Sequence, residues 1–156
     1  MQKRLIEREH STRKSDTGWL DLETQATTEI TSEEPNRPVE LAFRPGGESG
    51  WRASEAGVQI IRLIFHQPQR VSRVHLRFSE KNVERTQEFV LRWAPDMSHP
   101  FQDIVRQKWN FSPQGSTIES EDYHVNLTAV GVLELIVNPD VAREGAFASL
   151  DELRIA

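Results

Sequence analysis

The sequence predicts an all-β domain, an antiparallel two-sheet jelly-roll sandwich. Three observations point there: short apolar runs that alternate with period two, turn-forming residues in the gaps between them, and no stretch of sustained helical periodicity. Alternation of this kind turns one face of each strand inward and leaves the other in water, as two stacked antiparallel sheets require.

Taken in order, residues 1–18 read as a flexible polar tail. Lys3, Arg4, Arg8, Arg13 and Lys14 interleave there with Glu7, Glu9 and Asp16, and Leu5 and Ile6 supply almost no apolar surface. A short helix in such a segment is marginal in water, and a mobile leader is the ordinary behaviour of a terminus. The domain is expected to span residues 19–156, opening with Trp19 tucked against the sandwich. Residues 26–31 are Thr-rich and suit a strand through their β-branched side chains. Pro35, Asn36, Arg37 and Pro38 mark a loop, Val39–Phe43 is a short apolar run, and residues 44–50 form a long Gly-rich turn before Trp51.

Alternating strands follow. Ile61, Leu63 and Phe65 oppose Ile60, Arg62 and Ile64, so this strand carries apolar residues on both faces and belongs at the centre or under another element. Val74, Leu76 and Phe78 oppose Arg73, His75 and Arg77; Phe89, Leu91 and Trp93 oppose Glu88, Val90 and Arg92. Tyr123, Val125 and Leu127 oppose His124 and Asn126, and Leu133, Leu135 and Val137 oppose Glu134 and Ile136. Residues 104–111 fit a further strand. Turn chemistry is expected at Gln67-Pro68-Gln69 and over residues 79–85, 95–100 and 112–122.

Composition narrows the function classes. The chain has 156 residues, 28% of them charged and 37% hydrophobic, which suits one domain with a real core. A net charge of −5 disfavours nucleic acid, whose backbone calls for clustered cations. No apolar run reaches the roughly 18–20 residues that a bilayer span needs. The first ten residues lack the apolar core of a secretion signal and the chain has no cysteine, so a cytoplasmic location is expected. Without cysteine there is no thiolate catalysis and no redox switching.

Four pieces in order resemble one family. Ala42-Phe43-Arg44-Pro45 leads to Trp51-Arg52-Ala53-Ser54; an apolar strand covers residues 60–65; residues 89–93 lead through Ala94-Pro95-Asp96 to Phe101-Gln102-Asp103-Ile104-Val105; and Leu150-Asp151-Glu152-Leu153 closes the chain. Together they look like the discoidin, or coagulation-factor type C, branch of the galactose-binding-like jelly rolls, over residues 20–156. That resemblance implies a rigid sandwich holding a ligand in loops at one end. Relatives that bind calcium take a carboxylate from the first turn and another from the closing strand. Glu152 matches the latter, but Arg44 stands where the former would be, unless Glu48 substitutes, so no cofactor and no calcium is expected and Glu152 is left to a cation such as Arg154 or Arg44. The family's usual Arg-Tyr is replaced here by Val130-Gly131-Val132.

No catalytic constellation stands out. There is no Gly-rich phosphate loop, His-Glu-x-x-His or Gly-x-Ser-x-Gly, and the histidines at 10, 66, 75, 99 and 124 lack metal-ligand spacing. His75 and His124 are expected on solvated faces. A non-catalytic binding module is the expectation, with a glycan the first choice of ligand. A sugar asks for an aromatic surface and for planar hydrogen-bonding groups that bridge neighbouring hydroxyls. Candidates on the expected loops are Arg44, Glu48, Arg52, Trp109 and Asn110, with Asn82, Arg85 and His99 as further possibilities. Trp51 and Trp93 are expected in the core, while Trp109 sits among polar neighbours and is open to either role. Asn126-Leu127-Thr128 fits a glycosylation acceptor. The alternative is a protein-interaction module that uses the same loops or a sheet face through Ile60, Ile64 and Val90. Membrane insertion is not expected, because the loops lack paired apolar spikes, and oligomeric state is left open.

Overall fold

The computed structural model describes residues 18–46 and 50–156. The tail expected over residues 1–18 therefore lies, apart from Gly18, outside the described residues, as does Glu48. A four-residue helix α1 (Leu22–Gln25) precedes β1 (Ala26–Ile30), and a 3-10 turn, Val39–Phe43, leads toward β2 (Trp51–Ala56). Then come β3 (Gln59–Ser79), β4 (Arg85–Ala94), β5 (Gln102–Phe111), β6 (Ile118–Asn138), β7 (Phe147–Leu150) and β8 (Glu152–Ile155).

Two long strands organise the sandwich. β3 and β6 each run for 21 residues and pair antiparallel with one another, with register shifts between Ile64 and Arg73. Their paired segments 59–64 and 132–137 join β1, β4 and β5 in one layer, in the order β1-β3-β6-β4-β5. Their other segments, 71–79 and 118–127, form a second layer with β8. A separate ribbon of β2 and β7 helps to close the core. All ladders are antiparallel, and the whole is the jelly-roll sandwich that the alternation predicted.

The inward phases hold. Ile61, Leu63, Val74, Leu76, Phe78, Phe89, Leu91, Leu133, Leu135 and Val137 are all buried, and Phe78 meets Phe89 across the layers with ring centroids 5.3 Å apart. Trp51 is fully buried, and Trp93 packs half-buried against the same core. Trp19 does tuck against the sandwich: the guanidinium groups of Arg73 and Arg154 lie 4.8 and 5.2 Å from its ring centroid.

Two expectations need correction. Gln67-Pro68-Gln69 is not a turn, because β3 runs through it and bends from one layer into the other. Pro68 is tolerated because it falls between the paired residues Ile64 and Gln69, where the register shifts and no ladder N–H is required. The gap expected over residues 112–122 is also too long. β6 begins at Ile118, and Glu119 and Glu121 extend the inward phase of Tyr123.

Glu134, on the outward phase, is nonetheless fully buried, because Arg62 and Arg92 close over it. Each donates from Nε to the carboxylate at 2.7 Å. At Gly131 two backbone segments approach too closely for any side chain. A Cβ there would sit 2.0 Å from the Pro95 carbonyl oxygen, so only glycine lets the loop after β4 close on the bend. Gly131→Ala is expected to cost about 1–3 kcal/mol by overpacking, read as a lower urea midpoint with an unchanged slope.

Candidate ligand-binding site at one end of the sandwich

Because β3 and β6 fold over as a pair, both ends of that ribbon emerge at the same end of the sandwich. Gln59 pairs with Val137 in one layer, and Ser79 pairs with Ile118 in the other. The connections leaving those points, residues 57–58, 80–84, 112–117 and 139–146, therefore gather there. The bend of β3, the carboxyl-terminal Ala156 and the loop after β4 lie at the opposite end.

Three adjoining cavities are set among the gathered loops. The largest, about 710 Å³, lies between residues 56–58 and the 138–145 segment. A second, about 390 Å³, is bounded by Arg85, Thr86, Asn110, Phe111 and Ser112. The third, about 380 Å³, is lined by Arg52, Glu80, Asn82, Arg85 and Phe147 among others. Asp140 and Arg143 line all three. Arg143 is exposed and has no ion-pair partner among the described residues, whereas Arg52 pairs with Glu34 at 3.1 Å. Phe147 is 36% exposed, an unusual position for a phenyl ring, and the Arg52 guanidinium lies 5.4 Å from its centroid. Val58, Val83 and Val141 are also exposed on these loops, giving the site apolar edges between its charged groups.

Arg85 holds the site from below. Its side chain is 2% exposed; Nε donates to Glu80 at 2.7 Å, and Nη1 donates to the Pro139 carbonyl at 2.7 Å and to Gln87 Oε1 at 3.1 Å. Its guanidinium also lies 4.8 Å from the centroid of Phe111. One side chain thus ties the loop before β4 to the loop after β6. Burial pushes the Glu80 carboxyl up, but the hydrogen bonds from Arg85 and from the Asn82 N–H outweigh it and hold the group below its usual range.

The structure distributes the expected ligand residues over the molecule. Arg52 and Asn110 come to the loop end, as do Asn82 and Arg85. Asn110 accepts a hydrogen bond from Thr86 at 2.7 Å. Arg44 is carried away by the 3-10 turn and pairs with Glu23 of α1 at 2.9 Å. Trp109 faces inward opposite Gln87, partly buried against the core, and its indole N–H is buried without a partner. His99 lies in the loop after β4 with Nδ1 2.8 Å from Asp96. Glu152 lies 3.8 Å from each of His75, Arg77 and Arg154, and among the described residues no three His, Asp or Glu side chains are placed to hold a metal ion. On the outer sheet face Val90 is buried, while Ile60 and Ile64 are half-buried beside the Arg62–Glu134–Arg92 ladder. Asn126 is exposed and accepts from Arg70.

Sequence reasoning passed over Phe147, Arg143 and Asp140. A lone phenylalanine after a polar stretch has no period to mark it, and its one signal is its place just before the closing Leu-Asp-Glu-Leu motif.

No protein-family model matches the chain, and no curated protein matches it. Solved structures do. A family 32 carbohydrate-binding module of NanJ from Clostridium perfringens, in complex with galactose, superposes with a TM-score of 0.62 at 15% identity, over 86% of this chain and 95% of that one. Another such module from C. perfringens, in complex with GalNAc-β-1,3-galactose, gives 0.59 at 21% identity over 83% and 94%. The C-terminal domain of a chitobiase from Bacteroides fragilis gives 0.63 at 15% identity over 88% and 96%. The chain therefore has the discoidin-type, galactose-binding-like jelly-roll fold that these modules share. At such identities the likeness defines the fold, and function has to be argued from the site.

Proposed function

We propose that this domain is a non-catalytic carbohydrate-binding module whose glycan lies across the loop end, over Phe147 and between Arg52, Asn82 and Arg143. The observation that carries the proposal is the exposed phenyl ring beside planar hydrogen-bonding groups in connected cavities. A pyranose offers a C–H face that packs on an aromatic ring and vicinal hydroxyls that suit guanidinium, amide and carboxylate groups. Modules of the same fold have been caught with galactose and with GalNAc-β-1,3-galactose, which supports a sugar as the ligand class. Asp140 and Arg143 border all three loop-end cavities, so a ligand longer than one sugar can keep the same central contacts. Hydrolysis forms no part of the proposal.

The test is a glycan array followed by calorimetry on the best hit. Phe147→Ala is expected to weaken that interaction about tenfold or more, which is ~1.4 kcal/mol. Its unfolding midpoint should move little, because the ring is already partly in water. Retention of full affinity by this variant would remove Phe147 from the site.

A further inference from the structure

The sandwich contains a second polar assembly, inside and directly below the loop end. Four buried polar atoms among the described residues have no hydrogen-bond donor or acceptor: Trp109 Nε1, Glu119 Oε2, Glu121 Oε2 and Tyr123 Oη. They belong to one place. Glu119, Glu121 and Tyr123 follow one another on the inward phase of β6, and Trp109 pairs on β5 with Gln87, whose Nε2 donates to Glu119 Oε1 at 3.2 Å. Glu119 is fully buried, and Glu121 follows it two residues on along the same face of β6. Two adjacent carboxylates in a closed interior cannot both stay ionised cheaply, and a single shared proton turns their two orphaned oxygens into a donor and an acceptor.

A continuous set of contacts leads from this pair to the surface. Gln87 donates to Glu119 and accepts from Arg85, and Arg85 in turn holds Glu80 and Pro139. We infer that the Glu119–Glu121 pair is a proton-operated latch on the ligand loops, with Arg85 as its positioning residue. While the pair shares a proton, Arg85 stays on Glu80 and on Pro139 and keeps both loops in place. When the proton leaves, two negative charges draw the guanidinium inward through Gln87 and release the loops on either side. The inference rests on reading the loop end as the ligand site, and makes binding there pH-dependent.

The direction of the response follows from the surroundings. Burial, then the hydrogen bond with Glu121 and its charge, push Glu119 up to about 8, against opposing effects of Gln87 and Arg85. Burial and the charges of Glu121 and Glu119 push the Tyr123 phenol up as well, so it stays neutral through this range. Arg85 is the facing cation from β4, while β3 sets uncharged Phe78 opposite Glu119 and β5 brings uncharged Trp109 beside Gln87. The folded chain keeps a proton that the unfolded chain releases near 4.5, so this contribution to stability is complete below that pH and is lost as pH rises toward about 8.

The experiment follows backbone amides of the 15N-labelled full chain from pH 5 to pH 9.5, without ligand and then with millimolar galactose. The expected result is a one-proton transition with its midpoint near pH 8 in residues 80–86 and 140–143, absent from Glu119→Gln. That amide can keep the hydrogen bond from Gln87 while donating to Glu121, so its melting temperature should exceed that of wild type above pH 7. Glu121→Gln serves as the second variant if the first does not fold. Loop amides that do not move in wild type, or that move equally in a folded Gln variant, overturn the latch. Because the ligand-free titration alone decides this, loss of galactose binding at every pH would count against the sugar reading and not against the latch.

Discussion

Arg85→Met is expected to destabilise the domain by about 3–5 kcal/mol, the range seen when one partner of a buried ion pair is removed, and to abolish glycan binding. The methionine fills similar volume but leaves Glu80, only 17% exposed, without its partner. It also removes the donor to the Pro139 carbonyl and to Gln87 Oε1, and an unsatisfied buried acceptor costs roughly 1–3 kcal/mol. Binding fails for a geometric reason, since Arg85 links the two loops that carry Asn82 and Arg143. Arg85→Lys should recover part of the stability, because a point charge can reach Glu80 but cannot reproduce three directed bonds. Equilibrium urea unfolding of the three proteins gives the comparison. A loss below about 1 kcal/mol for Arg85→Met, a size typical of an exposed ion pair, would mean that the loops do not depend on this side chain.

Trp51→Ala is expected to cost a similar amount, about 3–5 kcal/mol. The indole is fully buried, pairs in the ladder with Leu150, and donates from Nε1 to the Ser32 carbonyl at 2.9 Å. It therefore fixes the segment after β1 as well as filling the core. Gly50 just before it admits no side chain, because a Cβ would lie 2.1 Å from the Leu150 carbonyl oxygen. Trp51→Phe separates the two roles, retaining most of the packing while leaving Ser32 unpaired. Its loss should be smaller than that of alanine, and the difference in unfolding free energy measures the packing contribution. Equal losses for both variants would place the whole effect on the hydrogen bond.

The strands were legible because inward apolar side chains at Ile61, Val74, Phe89 and Leu133 recur at the period that a pleated sheet imposes. Trp51 was legible as core from the turn before it and the motif around it. The bend in β3 was not, because Pro68 signals a chain interruption equally in a turn and at a register shift. Glu119 and Glu121 were hidden by their charge. Counting back by twos from Tyr123 reaches both, but glutamate on an inward phase reads as the end of a strand until a partner such as Gln87 is seen across the layers. Arg44 and Trp51 are close in sequence, yet Arg44 is held on Glu23 of α1 and lines none of the three cavities. Arg52, Asn110, Asn82 and Arg85 reach the loop end from three separate strands and a loop, a convergence that depends on how β3 and β6 fold over and not on any local pattern.

The most direct measurement is a glycan array probed in parallel with labelled wild-type domain and labelled Phe147→Ala, both checked for intact folding by their near-ultraviolet spectra. The expected result is that wild type retains at least one class of glycan and that Phe147→Ala loses it. A folded wild-type domain that retains no glycan, or a variant that retains the same glycans equally well, would contradict sugar binding at the loop end.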